Sequence, residues 1–407
     1  MAKYGQGAIM SRMFDKFFSL FSHDIGIDLG TANTLVWVRG KGIVIREPSV
    51  VAIHKKTKKI IAIGTEAKNM VGKTPATLAT IRPLRHGVIA DFDATQAMIA
   101  HYIQSVHEVG NILPTSFARP KVVIGIPSSV TEVERRAVWE ATLSAGAREA
   151  YLIEEPMAAA IGEGISVFAP TGAMIIDIGG GTTEIAIISL GGIVVSRSLR
   201  LAGDEMDQAI LHYIRLRHGL LLGEKTVENL KIKIGSAYKK SSKFKVQSSK
   251  LKQTEEKDVA SEDKVEIEEE KGPARIASEI VSESVAGGEK MAIVRGRDIE
   301  TGLPKSIKIS ETEVREALAS VLSKIIEEIA DILEETPPEL TSDVLEHGIL
   351  LTGGGALLSG LDHLIVERIH MPVIVSDDPL TTVVRGAGKV LEDNKLLSRV
   401  KVTGGLK

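Results

Sequence analysis

The chain has 407 residues, 43% of them hydrophobic and 25% charged, with a net charge of −3. That length holds two or three domains of roughly 150 residues, and the near-neutral balance excludes a nucleic-acid binder with a dominant basic surface. The absence of cysteine excludes disulfides, thiolate zinc sites and cysteine nucleophiles, and no apolar run approaches the roughly 18–20 residues of a membrane-spanning helix.

No charged-then-apolar leader opens the chain, so the expectation is a cytoplasmic protein, soluble or peripheral on a membrane. Residues 1–8 carry no pattern. From Ile9 to Phe21 a helical period appears: Met10, Met13, Phe14, Phe17, Phe18 and Phe21 share one face. Two readings stand. The segment packs on a domain, or it lies in a lipid interface with its phenylalanines inserted and Arg12 and Lys16 at headgroup level. Four of the chain's eight phenylalanines fall here, which favours the membrane. Ile25–Thr34 followed by Leu35–Val38 reads as strand, tight turn, strand. Further strands are expected at Ile43–Ile45, Ser49–Ile53 and Ile60–Ile63, then a helix over Asp93–His107. The loop from Gly110 to Pro120 holds Ile112, Leu113 and Phe117, which either insert beside the first segment or pack back onto the domain. Val122–Ile126 and Ala150–Ile153 read as strands, Glu132–Leu143 as a helix. Pro156–Gly162 opens another helix with proline in its first turn.

A second strand–turn–strand is expected at Ala173–Ile188, then helices at Asp204–Arg217 and Thr226–Ile234. Residues 239–290 break this texture. Lys239 to Lys252 carries six lysines and no acid, and Glu255 to Glu270 nine acids against two lysines. Such composition buries too little apolar area to offset chain entropy. The expectation is a disordered or partly helical insertion that projects away from the cleft between the two halves. Order resumes with strands at Met291–Val294 and Ser306–Ile309 and a long amphipathic helix over Glu311–Leu333. Ile349–Leu358 reads as strand, glycine-rich turn, helix. Val373–Val375 is a last strand and Thr381–Leu391 a last helix.

The chemistry lies in an internal echo. Ile27-Asp-Leu-Gly-Thr-Ala-Asn-Thr34 matches Ile176-Asp-Ile-Gly-Gly-Gly-Thr-Thr183, 149 residues later. Two such openings suggest duplicated α/β domains facing each other. In each, glycine lets backbone N–H groups converge into an anion-binding concavity, and the aspartate sits where a hydrated Mg²⁺ bridges phosphates. A third turn, Thr352-Gly-Gly-Gly-Ala-Leu-Leu358, follows an apolar strand and suits the sugar and base of a nucleotide. Other phosphate motifs fail. Gly72-Lys73-Thr74 ends like a P-loop, but the required earlier glycine is Ala67. The dinucleotide fingerprint needs glycine where Glu184 and Leu358 stand.

These elements together resemble the actin / heat-shock chaperone / sugar kinase superfamily. Ile153–Gly162, Ala202–Asp207, Glu300–Pro304, Lys73–Pro75 and Thr336–Leu340 resemble one branch of it, the MreB family of rod-shape-determining bacterial actins. The resemblance runs from about Ile25 to Leu391, apart from the insertion. It implies duplicated actin-like (ribonuclease H-like) α/β domains around a nucleotide cleft, each with a smaller subdomain. The implied parts are 1–22 as extension and membrane helix; 23–51, 86–168 and 381–407 as subdomain IA; 52–85 as IB; 169–205 and 303–380 as IIA; and 206–302 as IIB. It implies a slow, polymerisation-coupled ATPase using ATP and Mg²⁺. Its filaments would be antiparallel pairs on the inner face of the cytoplasmic membrane, working with MreC, MreD, RodZ and the wall-synthesis machinery, and not with nucleic acid.

Carried residue by residue, the resemblance makes Asp28 and Asp177 the metal-facing pair, largely through water. Thr31, Ala32 and Asn33 match the first phosphate loop, and Gly180, Gly181 and Thr182 the second. Glu228, Asn229, Leu230 and Lys231 match nucleoside-contacting positions, and Gly354, Gly355, Ala356 and Leu357 the third loop. Glu155 matches the carboxylate that orients the attacking water, with Thr182 beside it; from its position alone it is equally a helix-start carboxylate favoured by the dipole. Membrane contact falls to Phe14, Phe17, Phe18, Phe21, Ile112 and Leu113. A heat-shock chaperone would need a substrate-binding β-domain after the third loop, where only about fifty residues remain. A sugar kinase would need an aspartate base that does not stand out. A scaffold of the FtsA type places its membrane helix at the C-terminus, here short and polar.

Overall fold

The computed structural model describes residues 22–108, 119–239, 282–284 and 289–402. Phe14, Phe17, Phe18 and Phe21, with Ile112, Leu113 and Phe117, lie outside them, as does most of 239–290. Among the described residues no helix is long and apolar enough to cross a membrane.

The echo in the sequence becomes two five-stranded sheets of one design. The first runs Glu149–Glu154, Lys121–Ile126, Ile25–Leu29, Asn33–Val38, Gly42–Pro48. The second runs Val373–Val375, Ile349–Thr352, Ala173–Ile178, Thr183–Ser189, Gly192–Leu199. In each, an antiparallel three-strand meander carries two parallel strands on one side. Every residue of Thr183–Ser189 is buried. A strand covered on both faces reads as a near-continuous apolar run, and Ile185–Ile188 does.

Between the sheets lie two helices, Glu155–Glu163 and Thr382–Glu392. Their buried residues form one cluster with Val123 and Ile153 of the first sheet and Ile175, Ile188 and Leu350 of the second. Close approach requires small residues. Ala158, Ala159 and Ala160 are fully buried. A Cβ on Gly386 would overlap the Ala158 carbonyl, and one on Gly162 the Thr382 carbonyl. Gly386→Ala is therefore expected to destabilise the chain by about 3 kcal/mol, since overpacking against backbone cannot relax by rotamer change. Urea unfolding checks this; a loss under about 1 kcal/mol would show that the helices can separate at little cost.

Two smaller sheets flank the large ones. Ile60–Ile63, Val51–His54 and Leu78–Ile81 form one, with the helix Thr65–Met70 beside it. Leu220–Leu221, Lys290–Asp298, Ser282–Ser284 and Pro304–Ser310 form the other. The boundaries expected at 51/52 and 302/303 cut through these units: Val51 pairs with Ile63 and Ile81, and Pro304–Ser310 pairs with Lys290–Asp298. The helices Glu132–Ser144 and Glu311–Glu335 begin in capping boxes, Thr131 with Glu134 and Ser310 with Glu313. The glycine-rich third turn does not open an α-helix directly. It enters a short 3₁₀ turn, Gly354–Leu357, and the α-helix starts only at Leu361. Helices at Thr65–Met70, Pro338–His347 and Asn394–Val400 have no counterpart in the sequence reading.

Candidate nucleotide site

A cleft of about 560 Å³ opens between the two halves, within the roughly 300–1,000 Å³ of small-molecule sites. Both hairpin turns face it. Asp28 stands near the end of Ile25–Leu29, and Asp177 holds the equivalent place on Ala173–Ile178. Thr31, Ala32 and Asn33 line one side, Gly180, Gly181 and Thr182 the other. The loops nearly touch. A Cβ on Gly180 would lie 2.5 Å from the Ala32 Cβ, and one on Gly181 2.7 Å from Thr31 Oγ1. Glycine here keeps backbone amides accessible at the narrowest point of the cleft. The Gly87 N–H donates to Thr31 Oγ1 at 3.1 Å, fixing the first loop from below.

Gly354, Gly355 and Leu357 of the third turn line the cleft, as do Glu228 and Lys231 of the helix Glu224–Ile234. Asn229, Leu230 and Ala356 are not among its lining residues. Leu230 is fully buried in the core, and Ala356 is buried in the same cluster. Gly353 has φ +81°, and a side chain there would overlap the Asp177 carboxylate, so the third turn packs backbone-first against the second aspartate. Ile232, Leu357 and Leu380 line the cleft although they are 72%, 59% and 40% exposed. Apolar side chains left open in a cleft suit a flat, apolar-faced ring.

The electrostatics are one-sided. Burial pushes the Asp28 carboxyl up to about 7. Burial, with Asp28 and Glu184 nearby, pushes Asp177 up to about 8. Glu155, at the start of its helix, is raised well above the usual range, first by burial and then by Glu184, Asp28 and Asp177. Four acidic side chains thus share one low-dielectric region, an arrangement that favours a divalent cation. Among the described residues no group of three or more His, Asp or Glu side chains has metal-binding geometry. Asp28 and Asp177, both lining the cleft, are a donor set that suits a cation completed by water and phosphate.

Glu184 escaped the sequence reading. It lies across the hairpin from Asp177, where the first hairpin has Leu35 opposite Asp28. Buried, it accepts from the Ser128 N–H at 2.9 Å, the Ser128 hydroxyl at 2.6 Å and the Ser198 hydroxyl. Its carboxylate so joins Ser128 of the first half to Ser198 of the second. Gly203, inside the Ala202–Asp207 stretch, also lines the cleft, and Thr382 and Lys290 do so without a sequence signal.

Where the insertion projects lies outside the described residues, but its flanks are placed. The Ala237 N–H donates to the Ser359 carbonyl at 2.8 Å, and Gly235, Ser359 and Lys290 all line the cleft. Described residues that flank the insertion thus stand at the cleft. The helix Glu224–Ile234 that leads into the insertion packs on the strand Lys290–Asp298 that follows it, with Leu230, Ile234, Ala292 and Val294 in one core cluster.

The family model of MreB/Mbl protein matches residues 22–254 and 257–399. Cell shape-determining protein MreB of Escherichia coli K12 is 44% identical over 384 residues, covering 93% of this chain and 96% of that protein. Cell shape-determining protein Mbl of Bacillus subtilis 168 is 41% identical, covering 94% and 100%. Among solved structures, MreB5 of Spiroplasma citri bound to ADP superposes with TM-score 0.76 at 36% identity, covering 93% of this chain and 98% of that one. The MamK double helical filament, at 22% identity and TM-score 0.66 over 91% and 99%, shares the fold. Twinned hairpins, three glycine turns around one cleft and these matches across nearly the whole chain place it in the MreB/Mbl family of actin-like proteins.

Proposed function

We propose that this chain is an ATPase that polymerises on the inner face of the cytoplasmic membrane, where its filaments organise wall synthesis and maintain rod shape. The observation that carries the reading is the pair of aspartate-bearing hairpins meeting across a cleft of nucleotide size. Relatives described as cell shape-determining and an MreB5 crystallised with ADP and with AMPPNP support it. Backbone amides of the Thr31–Asn33 and Gly180–Thr182 turns hold the phosphates, and the open apolar side chains around Leu357 take the base. Mg²⁺, when bound near Asp28 and Asp177, supplies charge neutralisation. Glu155 holds the attacking water through its carboxylate lone pairs, beside Thr182, because phosphoryl transfer needs positioning more than covalent chemistry. Self-association would be head-to-tail along each strand of an antiparallel pair, with MreC, MreD and RodZ as further partners.

Membrane attachment through Phe14, Phe17, Phe18, Phe21, Ile112 and Leu113 draws support from how the flanking residues are pinned. The Arg119 N–H donates to Ser22 Oγ at 2.8 Å, the Lys121 N–H to Asp24 Oδ1 at 2.9 Å, and the His23 N–H to His107 Nε2 at 2.9 Å. Segments 1–21 and 109–118 thus start from one corner of the molecule. Sedimentation with ATP and anionic liposomes tests the reading as a whole. The full chain is expected to pellet with lipid and to form filaments visible by electron microscopy. Deleting residues 1–21 is expected to leave ATP binding intact and to reduce lipid pelleting to background. A truncated chain that pellets as well as the full one would sink the anchor assignment.

A further inference from the structure

The mouth of the cleft is spanned by charge. On one side stands the small three-stranded unit, whose helix Thr65–Met70 bears Lys68 and whose strand Leu78–Ile81 runs into Arg82. On the other stand two helices of the second half, Gly203–His218 and Glu224–Ile234. Lys68 Nζ lies 2.8 Å from Glu228 Oε1, and Arg82 Nη1 lies 2.7 Å from Asp204 Oδ1. The two helices are themselves braced: Lys231 Nζ is 2.9 Å from Asp207 Oδ1 and donates to the Gly203 carbonyl at 2.7 Å. Asp204 and Asp207 are one helical turn apart, as are Glu228 and Lys231, so each helix gives one residue to the brace and one to the crossing. None of the four crossing side chains is more than 37% exposed. Glu228 also lines the cleft.

We propose that Lys68 and Arg82 are positioning residues that hold the cleft closed over its nucleotide and so set the rate of nucleotide release. This rests on the nucleotide reading of the cleft. A single ion pair of this exposure contributes little. Here the Lys231–Asp207 brace makes the two helices move together, so opening the mouth breaks both crossings at once, and pairs joined in one network act together. Glu228 is where occupant and crossing meet. A nucleoside reaching this carboxylate competes with Lys68 for it, which ties the contents of the cleft to the position of the small unit.

The experiment loads the full chain with a fluorescent N-methylanthraniloyl ADP and displaces it with excess ATP in a stopped-flow instrument. Lys68→Met and Arg82→Met are each expected to speed release by about threefold, and the double variant by about tenfold. The charge-swapped pair Arg82→Asp with Asp204→Arg keeps both partners and guards against a folding defect. It is expected to return release to within about twofold of the unmodified chain. Raising ionic strength from ~0.05 M to ~0.5 M is expected to speed release from the unmodified chain and to have little effect on the double variant. Wild-type release and salt dependence in the double variant would overturn the proposal while leaving the nucleotide reading intact. Failure of the unmodified chain to bind the probe at all would overturn both.

Discussion

Asp177→Asn is expected to weaken Mg²⁺-ATP binding by about 100-fold, the scale of losing a carboxylate that holds a metal through its water shell, and at the same time to make the nucleotide-free protein more stable. The opposite signs follow from the same four acids. With nothing bound, Asp177 is one of several carboxyls sharing a buried, cation-poor region. At neutral pH folding must either bury this carboxylate's charge beside Asp28 and Glu184 or take up a proton on it, and the amide avoids both costs, a gain on the order of 1–2 kcal/mol of the kind seen when a functional group is removed from a strained site. The pH dependence has a definite direction. Asp177 titrates near 8 in the fold against 3.8 as an ordinary aspartate. Between those values the folded chain holds a proton that the unfolded chain has lost, so acidification through 8 stabilises the nucleotide-free fold. Asp28, at about 7, acts with the same sign. Thermal melts of the unmodified protein between pH 8 and about 6 are expected to rise as pH falls, and the Asn variant to show a shallower rise. A variant that is less stable and binds Mg²⁺-ATP normally would remove Asp177 from the site.

Glu155→Gln is expected to bind ATP within about threefold of normal and to hydrolyse it about 10²–10³-fold more slowly, the range for losing a positioned general base. The amide keeps the shape of the side chain and loses the second lone-pair-bearing oxygen. Glu155 sits at the first position of a helix that the two central glycine contacts lock in place, so the substitution leaves its position unchanged. Filaments of the variant are expected to assemble and then fail to turn over. Single-turnover hydrolysis alongside equilibrium binding separates the outcomes, and loss of both together would make Glu155 structural.

The hairpin turns were legible because their residue types are locally required: aspartate near the end of each first strand, and in the second turn glycine where it nearly touches Thr31 and Ala32. The third turn was legible for the same reason, although glycines alone do not distinguish a 3₁₀ exit at Gly354–Leu357 from an α-helix. Pro337-Pro338 follows the end of the long helix, yet proline is equally at home in a first helical turn, and Pro338–His347 begins there. Glu184 was illegible because its role is made by distant partners, Ser128 being 56 residues away and Ser198 14. An acid inside an apolar strand carries no local mark of what it joins. The insertion's composition carried no sign of where it is rooted, because the contact of Ala237 with Ser359 is made only by the fold.

The central helix Thr382–Glu392 has a consequence for how the molecule comes into being. Its Val383, Ala387, Val390 and Leu391 cover the first sheet, where Gly388 lies flush on the Trp37 ring and Ala387 meets Gly26. The last strand of that sheet ends at Glu154. During synthesis the N-terminal sheet therefore emerges long before the helix that completes its layer, a gap on the order of tens of seconds at ribosomal speed. Until then its strands expose an apolar face and cannot reach their final stability. The first half's sheet, though contiguous in sequence, completes its layer only with a helix from the far end of the chain, and contacts of such long sequence separation make folding slow. The nascent chain should need a chaperone through that interval, and a fragment ending near residue 168 should aggregate rather than fold.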